Sequence, residues 1–150
     1  MSDEKNLSIA KEFLRALQAK HVQEVLSLFP DDGVWIAPEG TFTGKARIAG
    51  YLDWQFGLGQ DLKIAESGNG IVTEANRAFI EHTVSYRKGS ERIEYAVLCA
   101  LEFRDLKVKR IRTVYDRLSL ERQTVRGGLA RWAVDRILKQ AEKGLRWPKK

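Results

Sequence analysis

His82 is the best-placed reactive side chain in this sequence. In the run RAFIEHTVSYRK, residues 77–88, alternation puts Ala78, Ile80, His82, Val84 and Tyr86 on one face of a strand. An imidazole ordinarily titrates near neutral pH, so it can give or take a proton under physiological conditions. In KVKRIRTVYD, residues 107–116, Ile111, Thr113 and Tyr115 share a face, while Arg110, Arg112, Val114 and Asp116 share the other. If the two apolar faces look into one interior, His82 with Tyr115 or Thr113 could protonate or orient a carbonyl or hydroxyl. The competing reading is a core histidine hydrogen-bonded to Tyr or Thr.

The remaining candidates are weaker. Cys99 falls among Ile93, Tyr95, Val97, Leu101 and Phe103, where no basic residue would hold a thiolate, so it reads as core rather than nucleophile. Phe13, Trp35, Tyr51 and Trp54, with Ile80, Val97 and Cys99, are the residues expected to line a ligand pocket, and they would serve equally as core. Glu81, Glu94 and Glu102 take the opposite, outer face, although a one-residue register slip would turn Glu81 inward. Two histidines on separate elements make no metal site. GLGQD and ESGNG lack the context of a phosphate loop, and no cofactor is expected.

The elements that must position these residues follow from periodicity. Residues 7–19 place Leu7, Ala10, Phe13, Leu14 and Leu17 on one helical face, and a short helix over about 21–29 stops at Pro30-Asp31-Asp32-Gly33. VWIAP predicts a short strand, GTFTG a loop, and Thr43 an N-cap for the helix KARIAGYLDWQF. Four strands are expected over about 61–73, 77–88, 91–104 and 107–118, with turns or bulges at Asn69-Gly70, Lys88-Gly89-Ser90 and Asp105-Leu106. Residues 121–145 return to helical spacing. Helices first and antiparallel strands after them predict an α+β domain with helices on one curved sheet.

The composition adds constraints. With one cysteine the chain has no intramolecular disulfide, and no run of about 18 apolar residues would span a membrane. The opening MSDEKNLSIAKEF lacks the pattern of a signal peptide, so the expected location is cytoplasmic. The net charge of +6 is uneven: residues 122–150 carry 9 Lys/Arg against 2 Asp/Glu, which leaves residues 1–121 near neutrality. The basic tail has an apolar half of Leu129, Ala130, Ala133, Val134, Ile137, Leu138, Ala141 and Leu145. Docking on the sheet's outer face or on a second subunit is the first expectation for it, and contact with an anionic membrane a lesser one. No nucleic-acid partner is expected, because a basic tail alone is weak ground for one.

LFPDDGVWIAPEGTFTG, KARIAGYLDW and LKVKRIRTVYDRLSLERQ together resemble the nuclear transport factor 2-like superfamily, most closely its SnoaL-type polyketide cyclase and limonene-epoxide-hydrolase-like branch. The resemblance covers about residues 7–123 and implies a cone-shaped (cystatin-like) α+β fold: N-terminal helices on a curved, mostly antiparallel sheet, with an apolar pocket. Residues 124–150 would be an extra basic helix, part of the same domain or an appendage. The resemblance also implies a homodimer and a small apolar ligand, oxygenated or cyclic, with acid–base chemistry of the isomerase, cyclase, lyase or hydrolase type. The alternative is a non-catalytic ligand-binding or dimeric assembly module of the same fold. The family's acidic groups do not carry over: Thr113 stands at one such position, and Ala37, before Pro38, at another. Phe13 stands for a tyrosine, Ile80 and His82 for an Arg–Asp pair, and Val97 and Cys99 for a polar pair. Neither ketosteroid isomerisation nor epoxide opening by two carboxylates is therefore expected.

Overall fold

The computed structural model describes residues 2–144, and the chain divides into two compact units between Tyr115 and Asp116.

The first unit contains helices α1 (Ser2–Ala19), α2 (Val22–Ser27) and α3 (Lys45–Phe56). Its strands are β1 (Val34–Ala37), β2 (Gly40–Thr43), β3 (Gln60–Glu74), β4 (Arg77–Lys88), β5 (Glu91–Arg104) and β6 (Lys107–Val114). They form one sheet in the order β2-β1-β6-β5-β4-β3, with β1 parallel to β6 and every other pair antiparallel. Helix α1 packs on β3 and β4.

The expected alternation holds. Ala78, Ile80, His82, Val84 and Tyr86 are buried, as are Ile93, Val97, Cys99, Leu101 and Phe103 across from them. Glu81 is therefore on the outer side, and its carboxylate accepts the Asn69 N–H at 3.0 Å. That bond closes a bulge in β3 at Gly68-Asn69-Gly70, where pairing shifts between Glu66 and Ile71. Gly68 takes φ +56°, a left-handed conformation that favours glycine, and a side chain there would displace the Glu81 carboxyl that closes the bulge. Bulges of this kind bend a long strand and let the sheet curve.

Two of the predicted elements of this unit differ. GTFTG is a strand rather than a loop over Gly40–Thr43, because Pro38-Glu39 closes a two-residue hairpin that pairs Ala37 with Gly40. The N-cap of α3 is Gly44 (φ 85°) and not Thr43, which is still within the strand.

The second unit holds α4 (Arg117–Thr124) and α5 (Gly128–Ala141). The last strand ends at Val114 rather than near 118, and Asp116 caps α4 by accepting the Ser119 N–H at 2.9 Å. The helix expected over 121–145 is broken at Val125–Gly127, where Gly127 takes φ 104°. Arg122 of α4 pairs with Asp135 of α5 at 3.1 Å. Leu145 of the predicted apolar half lies outside the described residues.

Candidate functional site

The sheet's inner face is apolar because every second residue of β4, β5 and β6 is, and the aromatics of the helices close over it. Trp35 of β1 is 1% exposed and contacts Phe13 of α1, Phe29 and Tyr51 of α3, with ring centroids 5.6, 6.0 and 5.4 Å away. Its indole N–H donates to the Thr113 hydroxyl at 2.9 Å, and Thr113 in turn lies 3.5 Å from the Cys99 sulfur. The structure thus brings Trp35, Thr113 and Cys99 into one buried chain of polar contacts. Burial pushes the Cys99 thiol up to about 12, so it stays protonated and is no nucleophile at neutral pH.

His82 is treated differently. It is 2% exposed, and its Nδ1 is buried with no hydrogen-bond partner. Burial alone lowers its pKa to about 4, which keeps the ring neutral at pH 7. It pairs across the sheet with Val97, next to Ile80–Cys99 and two residues from Val84–Tyr95. Thr113 lies on the far side of β5, so about 10 Å of sheet separates the two groups. The expected hydrogen bond from His82 to a tyrosine or threonine is not made at Nδ1.

A polar group not singled out in the sequence stands at the end of β1. Glu39, in the tight turn after Pro38, is half-buried, and its Oε2 is buried without a partner. Burial raises the Tyr51 phenol well above its ordinary value, and the neighbouring Glu39 charge adds to this. Tyr95 is also raised, by burial first, then by Tyr86 and the Glu39 charge. Phe42 and Trp54 stack on Tyr51 at 4.5 and 5.8 Å, and Tyr115 lies 5.2 Å from Tyr95. Trp54 is 50% exposed, and Tyr95 and Tyr115 are half-buried, so this aromatic group reaches solvent. Gln55, one turn beyond Tyr51 on α3, also has a buried side-chain oxygen, Oε1, without a partner.

The arrangement combines an apolar interior, an aromatic rim and three unpartnered buried polar atoms, on Glu39, Gln55 and His82. Such atoms are rare in folded proteins and call for an explanation where they occur. Of the expected residues, Phe13, Trp35, Ile80, Val97, Cys99 and Thr113 are deep in the packed interior, Tyr51 is buried beneath Phe42 and Trp54, and Trp54 and Tyr115 belong to the rim. Among the described residues no cluster of metal-ligating side chains is present, and no helix is long and apolar enough to cross a membrane.

A model of the SnoaL-like domain matches residues 10–111. Among solved structures, an NTF2-like protein of Burkholderia xenovorans LB400 is 26% identical; the match covers 83% of this chain and 99% of that one, with a TM-score of 0.68. TerC, co-crystallised with polyporic acid, is 16% identical over 79% of this chain and 97% of its own, with a TM-score of 0.70. An LEH-like epoxide hydrolase of M. tuberculosis is 20% identical over 90% and 99%, with a TM-score of 0.67. The fold is therefore NTF2-like, as the sequence motifs imply. A search of curated proteins found no match.

Proposed function

The chain belongs to the SnoaL-like domain family, and from that premise we propose that it binds a small apolar molecule bearing a hydroxyl or an enolisable carbonyl, with Glu39 as its polar anchor. The observation that carries this reading is the buried, unpartnered Oε2 of Glu39. Leaving a buried acceptor unpaired costs about 1–3 kcal/mol, and more when it is charged. A ligand hydroxyl donating to Oε2 recovers that cost. Tyr51 lies beside the carboxylate, and the rings of Trp54, Tyr95 and Tyr115 offer apolar walls. TerC, of the same fold, was crystallised with an organic ligand, which supports a ligand of that general kind.

With a carbonyl ligand the same oxygen can act as a base. Oε2 takes the proton from the carbon beside the carbonyl, the C–H electron pair moves into the enolate, and the proton returns to carbon or exchanges with solvent. Neutral His82 supplies a second polar contact for a ligand that reaches the interior.

The test uses 2-naphthol and 2-methoxynaphthalene as probes, with binding followed by tryptophan fluorescence. The hydroxyl compound should bind, and its methyl ether should bind at least about tenfold more weakly, or 1.4 kcal/mol. Glu39→Gln should erase most of that difference while leaving the melting temperature unchanged or raised. Equal binding of both probes by the unsubstituted protein would remove Glu39 from the role. Glu39-dependent exchange of the α-protons of 2-tetralone in D2O, followed by NMR, would establish the base chemistry. Binding without exchange favours the non-catalytic reading, which has its own support: the Thr113 hydroxyl already accepts the Trp35 N–H.

A further inference from the structure

Helix α5 leaves Leu129 and Ile137 of its apolar half exposed, while Ala133, Val134 and Leu138 are half-buried. On a helical projection at 100° per residue, Leu129, Ala133, Ile137, Ala130, Ala141, Val134 and Leu138 lie on one half of Gly128–Ala141, with Gln140 the one polar residue among them. Leu129 is 80% exposed and Ile137 56%. Arg136 and Arg131 mark the two borders of that half, and Trp132, also 56% exposed, lies just beyond Arg136, between it and Lys139. The Arg136 guanidinium lies over the Trp132 ring, 5.3 Å from its centroid. Asp135, the one acid in α5, is taken up by Arg122.

We propose that α5 lies flat on an anionic lipid surface, with Leu129, Ile137 and the Trp132 ring in the headgroup–acyl boundary and Arg131, Arg136 and Lys139 among the phosphates. Charge complementarity favours this occupant, since residues 122–150 hold 9 Lys/Arg against 2 Asp/Glu. The apolar half distinguishes it from nucleic acid, which would be served by the basic edge alone. A tryptophan among the cations that flank the apolar sector suits a ring that is apolar at one end and polar at the other. At about 1.5 Å per residue, 14 residues reach about 21 Å, short of the ~30 Å hydrocarbon core, so the helix lies on the bilayer rather than crossing it.

The test is co-sedimentation of the full chain with vesicles of phosphatidylcholine containing 30% phosphatidylserine, against vesicles of phosphatidylcholine alone. Binding to the anionic vesicles should be at least about tenfold stronger and should weaken in 0.5 M salt. Leu129→Ser with Ile137→Ser should lower it by about tenfold or more, and Arg136→Gln with Lys139→Gln should remove the preference for anionic lipid. Trp132 should give a blue-shifted emission on binding that is missing in Trp132→Phe. Absence of binding to anionic vesicles overturns the proposal. So does binding that the Leu129→Ser, Ile137→Ser variant leaves intact, because the apolar half would then play no part. A lower melting temperature in that variant with unchanged vesicle binding would assign the face to contacts within the protein, and a tighter, equally variant-insensitive complex with duplex DNA would assign the charge to nucleic acid.

Discussion

Thr113 and His82 belong to the same inner face of one sheet, are equally buried, and meet opposite fates. The Thr113 hydroxyl accepts the Trp35 N–H at 2.9 Å and lies against the Cys99 sulfur. His82 has a buried Nδ1 with no partner at all. Glu39 repeats the second pattern near Tyr51, with its buried Oε2 unpaired. A polar group whose bonds are complete within the protein has finished its work on folding. One whose bonds are incomplete destabilises the fold and keeps its capacity for something else. The difference separates a structural deep end, centred on Trp35, from a set with incomplete hydrogen bonds at His82, Gln55 and Glu39.

Breaking the completed side should cost the most. Trp35→Ala removes the ring that touches Phe13, Phe29 and Tyr51 and orphans the Thr113 hydroxyl. A loss of about 3–5 kcal/mol in urea unfolding is expected, as for other large-to-small changes at buried aromatics. Trp35→Phe keeps most of the packing and should recover more than half of it. A loss below 1 kcal/mol for Trp35→Ala would mean that the deep end tolerates a void, and the contrast with the rim would collapse.

The incomplete side should show itself through pH. His82 has a folded pKa of about 4 against about 6.5 unfolded, so between these values the unfolded chain holds the proton and the folded one does not. Stability is fully present above pH 6.5 and falls as pH drops towards 4, by about 3 kcal/mol when the transition is complete. The exposed carboxylates Glu24, lowered by Arg15 and then His21, and Asp32, lowered by Arg104, make their loss at lower pH. The window from 6.5 to about 4.5 therefore belongs to the histidine. His82→Leu should flatten the stability profile there, raising stability at pH 5 relative to the unsubstituted protein. Equal unfolding free energies from denaturant melts at pH 5 and pH 7 would show that the protonated ring finds a partner in solution.

Sequence reached some of this contrast and missed the rest for identifiable reasons. The face of His82 was legible because side chains alternate with a period of two, and Ala78, Ile80, Val84 and Tyr86 fix the phase. The partner of Thr113 was not, since Trp35 lies 78 residues away and meets it only through the parallel β1–β6 pairing. Glu39 belongs to no alternating run. Its inward position depends on a two-residue turn after Pro38 and on the packing of α3, both tertiary facts. The signal that was present, a carboxylate two residues beyond Ala37 at the expected site of a base, carried no direction. Gly40–Thr43 is too short for its composition to decide, and its pairing with β1 decides instead. In the tail, Gly127-Gly128 was a visible breaker, but apolar spacing continued across it and concealed the break.

The smallest effect, and the cleanest division between the two kinds of polar group, should come from Thr113→Val. Valine keeps the branched shape and loses the hydroxyl, so the cavity stays filled and the Trp35 N–H loses its acceptor. One unsatisfied buried donor should cost about 1–2 kcal/mol. Thr113→Ser, which restores the acceptor, should recover most of it, less the value of one buried methyl of about 0.8 kcal/mol. Ligand response separates structure from chemistry. If the Thr113 hydroxyl is spent on Trp35, then Thr113→Val should bind 2-naphthol within about twofold of the unsubstituted protein, or roughly 0.4 kcal/mol, although it melts earlier. A tenfold loss of affinity with little change in stability would mean that the hydroxyl leaves the indole when ligand arrives, and Thr113 would then join His82 and Glu39 among the available groups.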